Sequence, residues 1–537
     1  MLLRQRLKSC TLFDVWNAEM FCDLLPSQQQ MAFLDEKTIA SGVSATELME
    51  RAGQGVFNVI AEKFADKRKV CLLVGSGNNG GDGLVVARLM LQGGLVPEVL
   101  IAPSTNYSPD MRLQLDRYLK CGGRAFIYAD RNVASVLHLE SLERAAAKEI
   151  LNSSEVIIDA LLGTGQRSAP RGGVGSILAD LFPCTTTAPI ISIDLPSGIN
   201  GDSGEVYEDA LKADLTLCIQ LLKRGMLQYP AREYCGEVVV VPIGIAADES
   251  EVEYRLLTTN NLSHLPKRVA WGHKKNYGHI FVVAGSRNMS GAGVLAATAA
   301  LRSGAGLVTK AQLISVTTAD PPEIMFYYLD DQKGGIFTSE MAKEIIEQTQ
   351  RSDVLLIGPG LGEVDSTKSC VLEVLSKVHS PVVIDASALN SLATAGDLVL
   401  PQEAVLTPHT GEAARLLGVS VEDVQRDRYA AASEISEKYK AVTVLKGAGT
   451  VIYFAGRGFV SDIANPYLAT AGSGDVLAGV IAAFMGQGVS AFEAAKLAVM
   501  VHGVAGERAH LKTRGFITAS DIIAALSFEN IGSESDC

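Results

Sequence analysis

In the stretch NPYLATAGSGDVLAGVIAAF, Gly472, Ser473 and Gly474 stand ahead of an apolar helical pattern, and Asp475 falls in its first turn. Backbone N–H groups at such a helix start form an anion hole, and the adjacent carboxylate can take a proton from a hydroxyl that attacks phosphorus. An acid that merely complements a helix N-terminus contributes about 1 kcal/mol or less. Neighbouring segments favour chemistry over that bland role. IGPGLG (Ile357–Gly362), LTPHTGE (Leu406–Glu412) and LKGAGT (Leu445–Thr450) each follow an apolar, strand-like run. His409 alone would read as a structural histidine, but its place after a strand, between Pro408 and a Gly-Glu pair, points to a binding role. No Gly-Lys dipeptide occurs anywhere, so a nucleotide would be held without a Walker A loop.

The first half of the chain carries a second set of strand-end loops. VCLLVGSGNNGGDG ends a strand at Val74 and starts a helix near Gly83, and Gly75, Gly77 and Gly80 match GxGxxG. A dinucleotide site also wants an acidic residue closing the next strand, which here ends Val-Leu-Ile-Ala-Pro. Asp159 closes another strand ahead of Gly163, Thr164 and Gly165, and Asp194 closes a third ahead of Ser197-Gly198. A lone strand-end Asp is often a helix cap. Two of them with Asn79 on neighbouring strand ends supply converging oxygens that suit a weakly hydrated cation and an oriented ligand.

Positioning these loops requires sheets with helices between the strands. Short β-branched runs at 70–74, 96–101, 156–159, 190–194, 215–219 and 238–241 alternate with helical patterns, and a second series follows at 280–284, 354–357, 382–385, 404–406 and 442–445. Alternation of this kind predicts α/β domains with parallel sheets covered on both faces. We expect a helical extension over 1–30, one domain over 31–247, a polar linker over 248–264 and a second domain over 265–530. The charge balance of 47 − 60 = −13 offers nothing to a phosphodiester backbone or an anionic membrane. Nine scattered cysteines without a CxxC pair fit neither a disulfide framework nor a zinc site and predict reduced thiols in the cytoplasm. The most apolar stretch, Val476–Phe484, is too short to span a bilayer, and the charged N-terminal stretch is no clean secretory signal.

Four ordered motifs, LMERAG (Leu48–Gly53), GSGNNGGDG (Gly75–Gly83), IIDALLGTG (Ile157–Gly165) and IDLPSGI (Ile193–Ile199), resemble the amino-terminal domain of the bifunctional NAD(P)H-hydrate repair enzymes. That domain is a Rossmann-like epimerase that interconverts the R and S forms of NADH and NADPH hydrated at C6. The resemblance implies hydrate binding by Asn78, Asn79, Gly80, Gly81 and Asp82, by Gly163, Thr164, Gly165, Gln166, Arg167, Ser168 and Ala169, and by Asp194. It implies K+ at Asn79, Asp159 and Ser197. Leu222 stands where the family usually has Pro ahead of Lys223, so a role for Lys223 stays open.

The strand-end loops of the second half, with GHKKNYGHIFVVAGS (Gly272–Ser286) and SGAGVLAATAALRSGAGLV (Ser290–Val308), resemble the ribokinase-like carboxy-terminal domain of the same family, an ADP-dependent dehydratase. This implies hydrate binding at Ala292, Gly360 or Gly362, His409 and Asp475, nucleotide binding at Lys446, Gly447, Ala448, Gly449, Thr450 and Gly474, and Asp475 as the catalytic base. Pro466-Tyr467-Leu468 replaces the family's usual Pro-Gly-Met. The expected ligands are NADHX, NADPHX, ADP as co-substrate, Mg2+ in the dehydratase and K+ in the epimerase, with self-association into a homo-oligomer and no nucleic acid or membrane partner. ADP against ATP stays open, and the alternative is a small-molecule kinase of the ribokinase superfamily with a non-catalytic amino-terminal module.

Overall fold

A computed structural model describes residues 23–130, 133–182, 187–332 and 334–526, with the side chains of 259, 260 and 263 left aside. The chain divides into two compact units, one up to Arg255 and one from Leu256.

The first unit runs β1 (Leu24–Leu25), α1 (Gln28–Ala40), α2 (Ala45–Lys63), β2 (Val70–Val74), α3 (Asn78–Gln92), β3 (Glu98–Ile101), α4 (Pro109–Lys120), β4 (Ala125–Tyr128), β5 (Ser141–Leu142), α5 (Arg144–Ser153), β6 (Val156–Ala160), α6 (Gly172–Leu181), β7 (Ile190–Ile193), β8 (Leu215–Ile219) and β9 (Glu237–Val241), and enters β10 (Tyr254–Leu257). Eight strands form a parallel sheet in the order β5-β4-β3-β2-β6-β7-β8-β9. The apolar run VCLLV of β2 is buried throughout because its side chains alternate between two cores. Val70, Leu72 and Val74 pack with Val56 and Ile60 of α2, Leu84 of α3 and Met111 of α4. Cys71 and Leu73 pack with Leu151 of α5 and Ile177 of α6. A sheet covered on both faces needs such unbroken apolar strands.

Three expectations change here. The expected helical extension over 1–30 falls largely on 1–22, outside the described residues; beyond them Leu24–Leu25 is a strand, antiparallel to Tyr254 and Arg255, and α1 already starts at Gln28 with Ser27 and Gln30 in a reciprocal capping box. The polar segment 248–264 is not a bare linker, since it contains β10 and a 3-10 helix, Thr259–His264. Finally, α3 begins at Asn78 and not near Gly83, so Asn78–Asp82 form its first turns.

The second unit contains β11 (His279–Val283), α7 (Ser290–Arg302), β12 (Leu307–Leu313), β13 (Met325–Leu329), α8 (Ala342–Thr349), β14 (Val354–Ile357), α9 (Asp365–Lys377), β15 (Val382–Ile384), α10 (Ser387–Ala393), β16 (Ala404–Leu406), α11 (Thr410–Leu417), α12 (Val421–Arg426), α13 (Arg428–Tyr439), β17 (Val442–Leu445), β18 (Val451–Phe454), β19 (Arg457–Ser461), α14 (Ser473–Gly486), α15 (Ala491–Thr513) and α16 (Ala519–Ala525). Strands β13-β12-β11-β14-β15-β16-β17 are parallel, and β18 and β19 continue the sheet antiparallel. Small residues let the central helices close up. A Cβ on Gly479 of α14 would come within 2.3 Å of the Ala296 carbonyl oxygen of α7.

Candidate functional site

In the first unit the strand order reverses between β2 and β6. Successive connections leave these neighbours in opposite directions, which opens a crevice at their carboxyl ends. Close approach depends on glycine: a Cβ on Gly75 would lie 1.8 Å from the Leu161 carbonyl oxygen, and one on Gly80 would lie 2.1 Å from that of Gly75. These two glycines serve packing between strand ends and helix, whereas Gly77 has open space beside it. The crevice holds a cavity of about 580 Å³, bounded by Ser76–Asn79 and Asp82, by Leu161–Gln166, by Asp194 and Lys223, and on the helical side by Met31, Asp35, Leu48 and Met49.

Asp194 sits at the cavity wall with φ of 69°, and its Oδ2 accepts the Thr164 N–H at 3.0 Å and the Thr164 hydroxyl at 2.6 Å. Its Oδ1 is ion-paired with Lys223 Nζ, which also donates to the Ile219 carbonyl at 2.8 Å. Burial works to raise the Asp194 pKa, but Lys223 and Thr164 outweigh it and hold the carboxyl below its ordinary value. Burial opposes the Lys223 charge too, and the Asp194 carboxylate overcomes it, so the ammonium is held above its usual value. Asp82 behaves oppositely. Burial, with Asp194 and Asp35 adding like charge, raises it well above its ordinary value.

Of the expected GTG segment, Gly163–Gln166 line the cavity. Arg167, Ser168 and Ala169 are exposed; Arg167 Nε donates to Gln28 Oε1 of α1 at 3.0 Å. Asn79, Asp159 and Ser197 are drawn together around Leu162. Asn79 Nδ2 donates to the Leu162 carbonyl at 2.7 Å, the Leu162 N–H donates to Ser197 Oγ at 3.0 Å, and Ser197 Oγ donates to Asp159 Oδ1 at 2.7 Å. Asn79 Oδ1 is buried and has no hydrogen-bond donor. An orphaned amide oxygen near a buried carboxylate and a hydroxyl is a donor set that fits a cation of low charge.

In the second unit the order reverses between β11 and β14. The loops after β14 and β15 are in van der Waals range, since a Cβ on Gly358 would fall 1.8 Å from the Asp385 carbonyl oxygen. Gly360, with φ of 65°, faces Ala292 of α7, and the Gly362 N–H donates to Ser387 Oγ at 3.2 Å. One turn along α7, Leu295 lies where a Cβ on Gly472 would sit, at 2.4 Å. Gly472 takes φ of 85° and opens α14 without any side-chain cap.

Around that helix start Lys446 Nζ pairs with Asp385 Oδ1 at 2.8 Å, lies 4.0 Å from Glu412 Oε2, and stands 3.2 Å from the Cβ position of Gly474. Thr407 Oγ1 donates to the same Asp385 oxygen at 2.7 Å. Burial, with the Asp385 and Glu412 charges only partly countered by Lys446, raises Asp475 to about 7. In the expected nucleotide loop Lys446–Thr450, the Lys446 ammonium turns into this acidic centre while Gly447 and Ala448 are exposed at the tip. Thr450 Oγ1 closes the turn on the Gly447 carbonyl at 2.9 Å, and the Arg428 guanidinium, donating to the Leu445 carbonyl at 3.0 Å, supports it from beneath. His409 caps α11: its Nδ1 accepts the Gly411 N–H at 2.9 Å, and its N–H is taken by Glu412 Oε2 at 2.8 Å. The ring remains half exposed at the site's edge.

Asp35, Asp385 and Glu412 were not among the expected site residues. Asp385 closes β15, the same strand-end signal that marks Asp159 and Asp194, and Glu412 lies inside a motif already singled out.

A family profile described as NAD(P)H-hydrate dehydratase matches residues 280–527, and one described as YjeF-related protein N-terminus matches 45–225. The chain is similar to the bifunctional NAD(P)H-hydrate repair enzyme Nnr of Coxiella burnetii, with 36% identity over 498 residues covering 90% of this chain and 95% of that one. The protein of the same name from Escherichia coli K12 is 34% identical over 499 residues, covering 90% and 89%. Among solved structures, an ADP/ATP-dependent NAD(P)H-hydrate dehydratase from Bacillus subtilis, co-crystallized with ATP and Mg2+, is 29% identical, covers 50% of this chain and 95% of its own, and superposes with a TM-score of 0.41.

Proposed function

The chain belongs to the bifunctional NAD(P)H-hydrate repair enzymes, and from that premise we propose how its own residues divide the work. The first unit epimerises R and S NAD(P)HX, and the second dehydrates the S form to NAD(P)H at the expense of a nucleotide. The observation that carries the second assignment is Asp475: a carboxyl raised to about 7, in the first turn of an uncapped helix, is poised to accept a proton near neutral pH.

In this reading Asp475 removes the proton of the C6 hydroxyl, and that oxygen attacks the terminal phosphoryl group of the nucleotide. The N–H groups at the start of α14 hold the charge that develops on the phosphoryl oxygens. The C6–O bond then breaks as the ring nitrogen supplies electrons, releasing phosphate, and loss of a proton from C5 to solvent restores the C5=C6 double bond of NAD(P)H without net redox change. With ADP the other product is AMP. Lys446 compensates Asp385 and Glu412 and keeps Asp475 from rising further. Among the described residues no group of three His, Cys, Asp or Glu side chains could hold a metal alone. We therefore assign Mg2+ to the nucleotide phosphates, where it would neutralise developing charge.

In the first unit we assign the hydrate to the 580 Å³ cavity, with Asp194 and Lys223 against it, and K+ to Asn79, Asp159 and Ser197. K+ there would fix the start of α3 against the Leu161–Gln166 loop. The described cysteines are all unpaired, which supports a reducing, cytoplasmic setting, and self-association is part of the same reading. Product analysis tests the assignment against a kinase. NADH and inorganic phosphate in equal amounts support repair; a stable phosphorylated alcohol as end product would replace it.

A further inference from the structure

The cavity of the first unit has two kinds of wall. Asp194 and Lys223 come from the ends of β7 and β8, whereas Asp35 comes from the middle of α1, on the wall formed by α1 and α2. Around Asp35, α2 contributes only Ala45, Leu48, Met49 and Ala52 to the lining. The charged or titratable groups facing the same space are Asp82 from α3, Asp194 and Lys223. Lys223 and Thr164 anchor Asp194 and hold it below its ordinary value, while burial raises Asp82 well above its own. Asp35 has no part in the epimerase roles assigned so far, and burial sets its carboxyl at about 6, Lys223 lowering it and Asp194 raising it. It can therefore both give and take a proton near neutral pH.

We propose that Asp35 is a further catalytic residue of the epimerase, exchanging a proton with the C6 oxygen from the helical wall while Asp194, anchored by Lys223, exchanges one from the strand-end wall. Protonated Asp35 gives its proton to the C6 hydroxyl; the C6–O bond breaks with the ring-nitrogen lone pair forming C=N, and water departs. Water then adds to C6 from the other side, its electron pair forming the new C–O bond as the C=N pair returns to nitrogen, and its extra proton passes to Asp194. The reverse direction uses the two carboxyls in exchanged roles, and solvent restores their protons between turnovers. No oxidant or reductant is involved.

The inference rests on the epimerase assignment, and the test separates the two. With the full chain, R-to-S conversion is followed by chromatography above the uncatalysed background, alongside dehydration of pure S hydrate. Wild type that fails to epimerise overturns the assignment itself. If wild type epimerises, Asp35→Asn should lose about 10²–10⁴-fold in that rate with dehydration unchanged, and an alkaline fall of the wild-type profile near pH 6 should vanish. Incorporation of oxygen from labelled water at C6 should fall in parallel. Asp35→Asn within threefold of wild type overturns the inference. Asp35→Glu guards against misfolding: partial recovery with a shifted pH limb supports a proton-transfer role, and a rate no better than Asp35→Asn overturns it.

Discussion

The pH dependence of dehydration should follow the ionisation of Asp475. A base must be ionised to act, and a carboxyl at about 7 is about one-tenth ionised at pH 6 and about nine-tenths at pH 8. At saturating nucleotide, kcat/KM for the S hydrate should therefore rise roughly tenfold between those values. A carboxylate of ordinary acidity would give a flat profile over that range. The neighbours fix the sign of two further shifts. Asp385 raises Asp475 and Lys446 lowers it, so Asp385→Asn should move the limb to lower pH and Lys446→Met to higher pH. Asp475→Asn should abolish the limb together with at least about 10²-fold of the rate, because the amide keeps the shape and cannot accept the proton. Stopped-flow recovery of NADH absorbance at each pH supplies the profile. A flat wild-type profile, or an Asp475→Asn variant with near wild-type turnover, would refute the reasoning.

Lys223→Met should strip Asp194 of its counterion and cost about 3–5 kcal/mol, read as a lower melting transition of the first unit, with Asp194→Asn in the same chain recovering part of it. Because Asp194 is held below its ordinary value, its contribution to stability is present above the unfolded-state value and is lost as pH falls through the lowered one. Asp159→Ala should abolish the dependence of epimerisation on potassium and slow it, while S hydrate is still dehydrated; K+-dependent wild-type epimerisation in that variant contradicts the ion assignment. Gly75→Ala would drive a methyl into the Leu161 carbonyl, so chemical denaturation should show a loss of about 1–3 kcal/mol or more confined to the first transition.

The site's loops are legible in sequence because apolar runs buried on both faces announce parallel strands, and whatever follows such a run lies at the carboxyl edge of a sheet. Asp475, Asp194 and Asp159 emerge this way. Other features depend on partners far along the chain. Lys223 reaches Asp194 across 29 positions of sequence, which no local spacing reveals, and its unusual neighbour Leu222 is simply buried. The glycine-rich NNGGDG has poor intrinsic helix propensity, yet it is helical because Gly80, Gly81 and Gly83 allow contact with Gly75, Met49 and Ala160 that a Cβ would block. Strand β12 was hidden by Lys310, a charge that is buried only because Asp320 pairs with it at 2.6 Å. Asp35 escaped notice because α1 reads as an ordinary polar helix until α2 and the strand ends enclose it.

The central claim is that one chain repairs both epimers through two separate sites. Its most direct test is recovery of NADH absorbance from a mixture of R and S hydrates with the purified chain, Mg2+, K+ and either ADP or ATP. The account predicts complete recovery, with Asp35→Asn falling to the slow background rate once the S form is consumed and Asp475→Asn slower by at least about 10²-fold throughout. Recovery limited to the S form with the wild-type chain, or recovery by the Asp475→Asn chain at the wild-type rate, would contradict it.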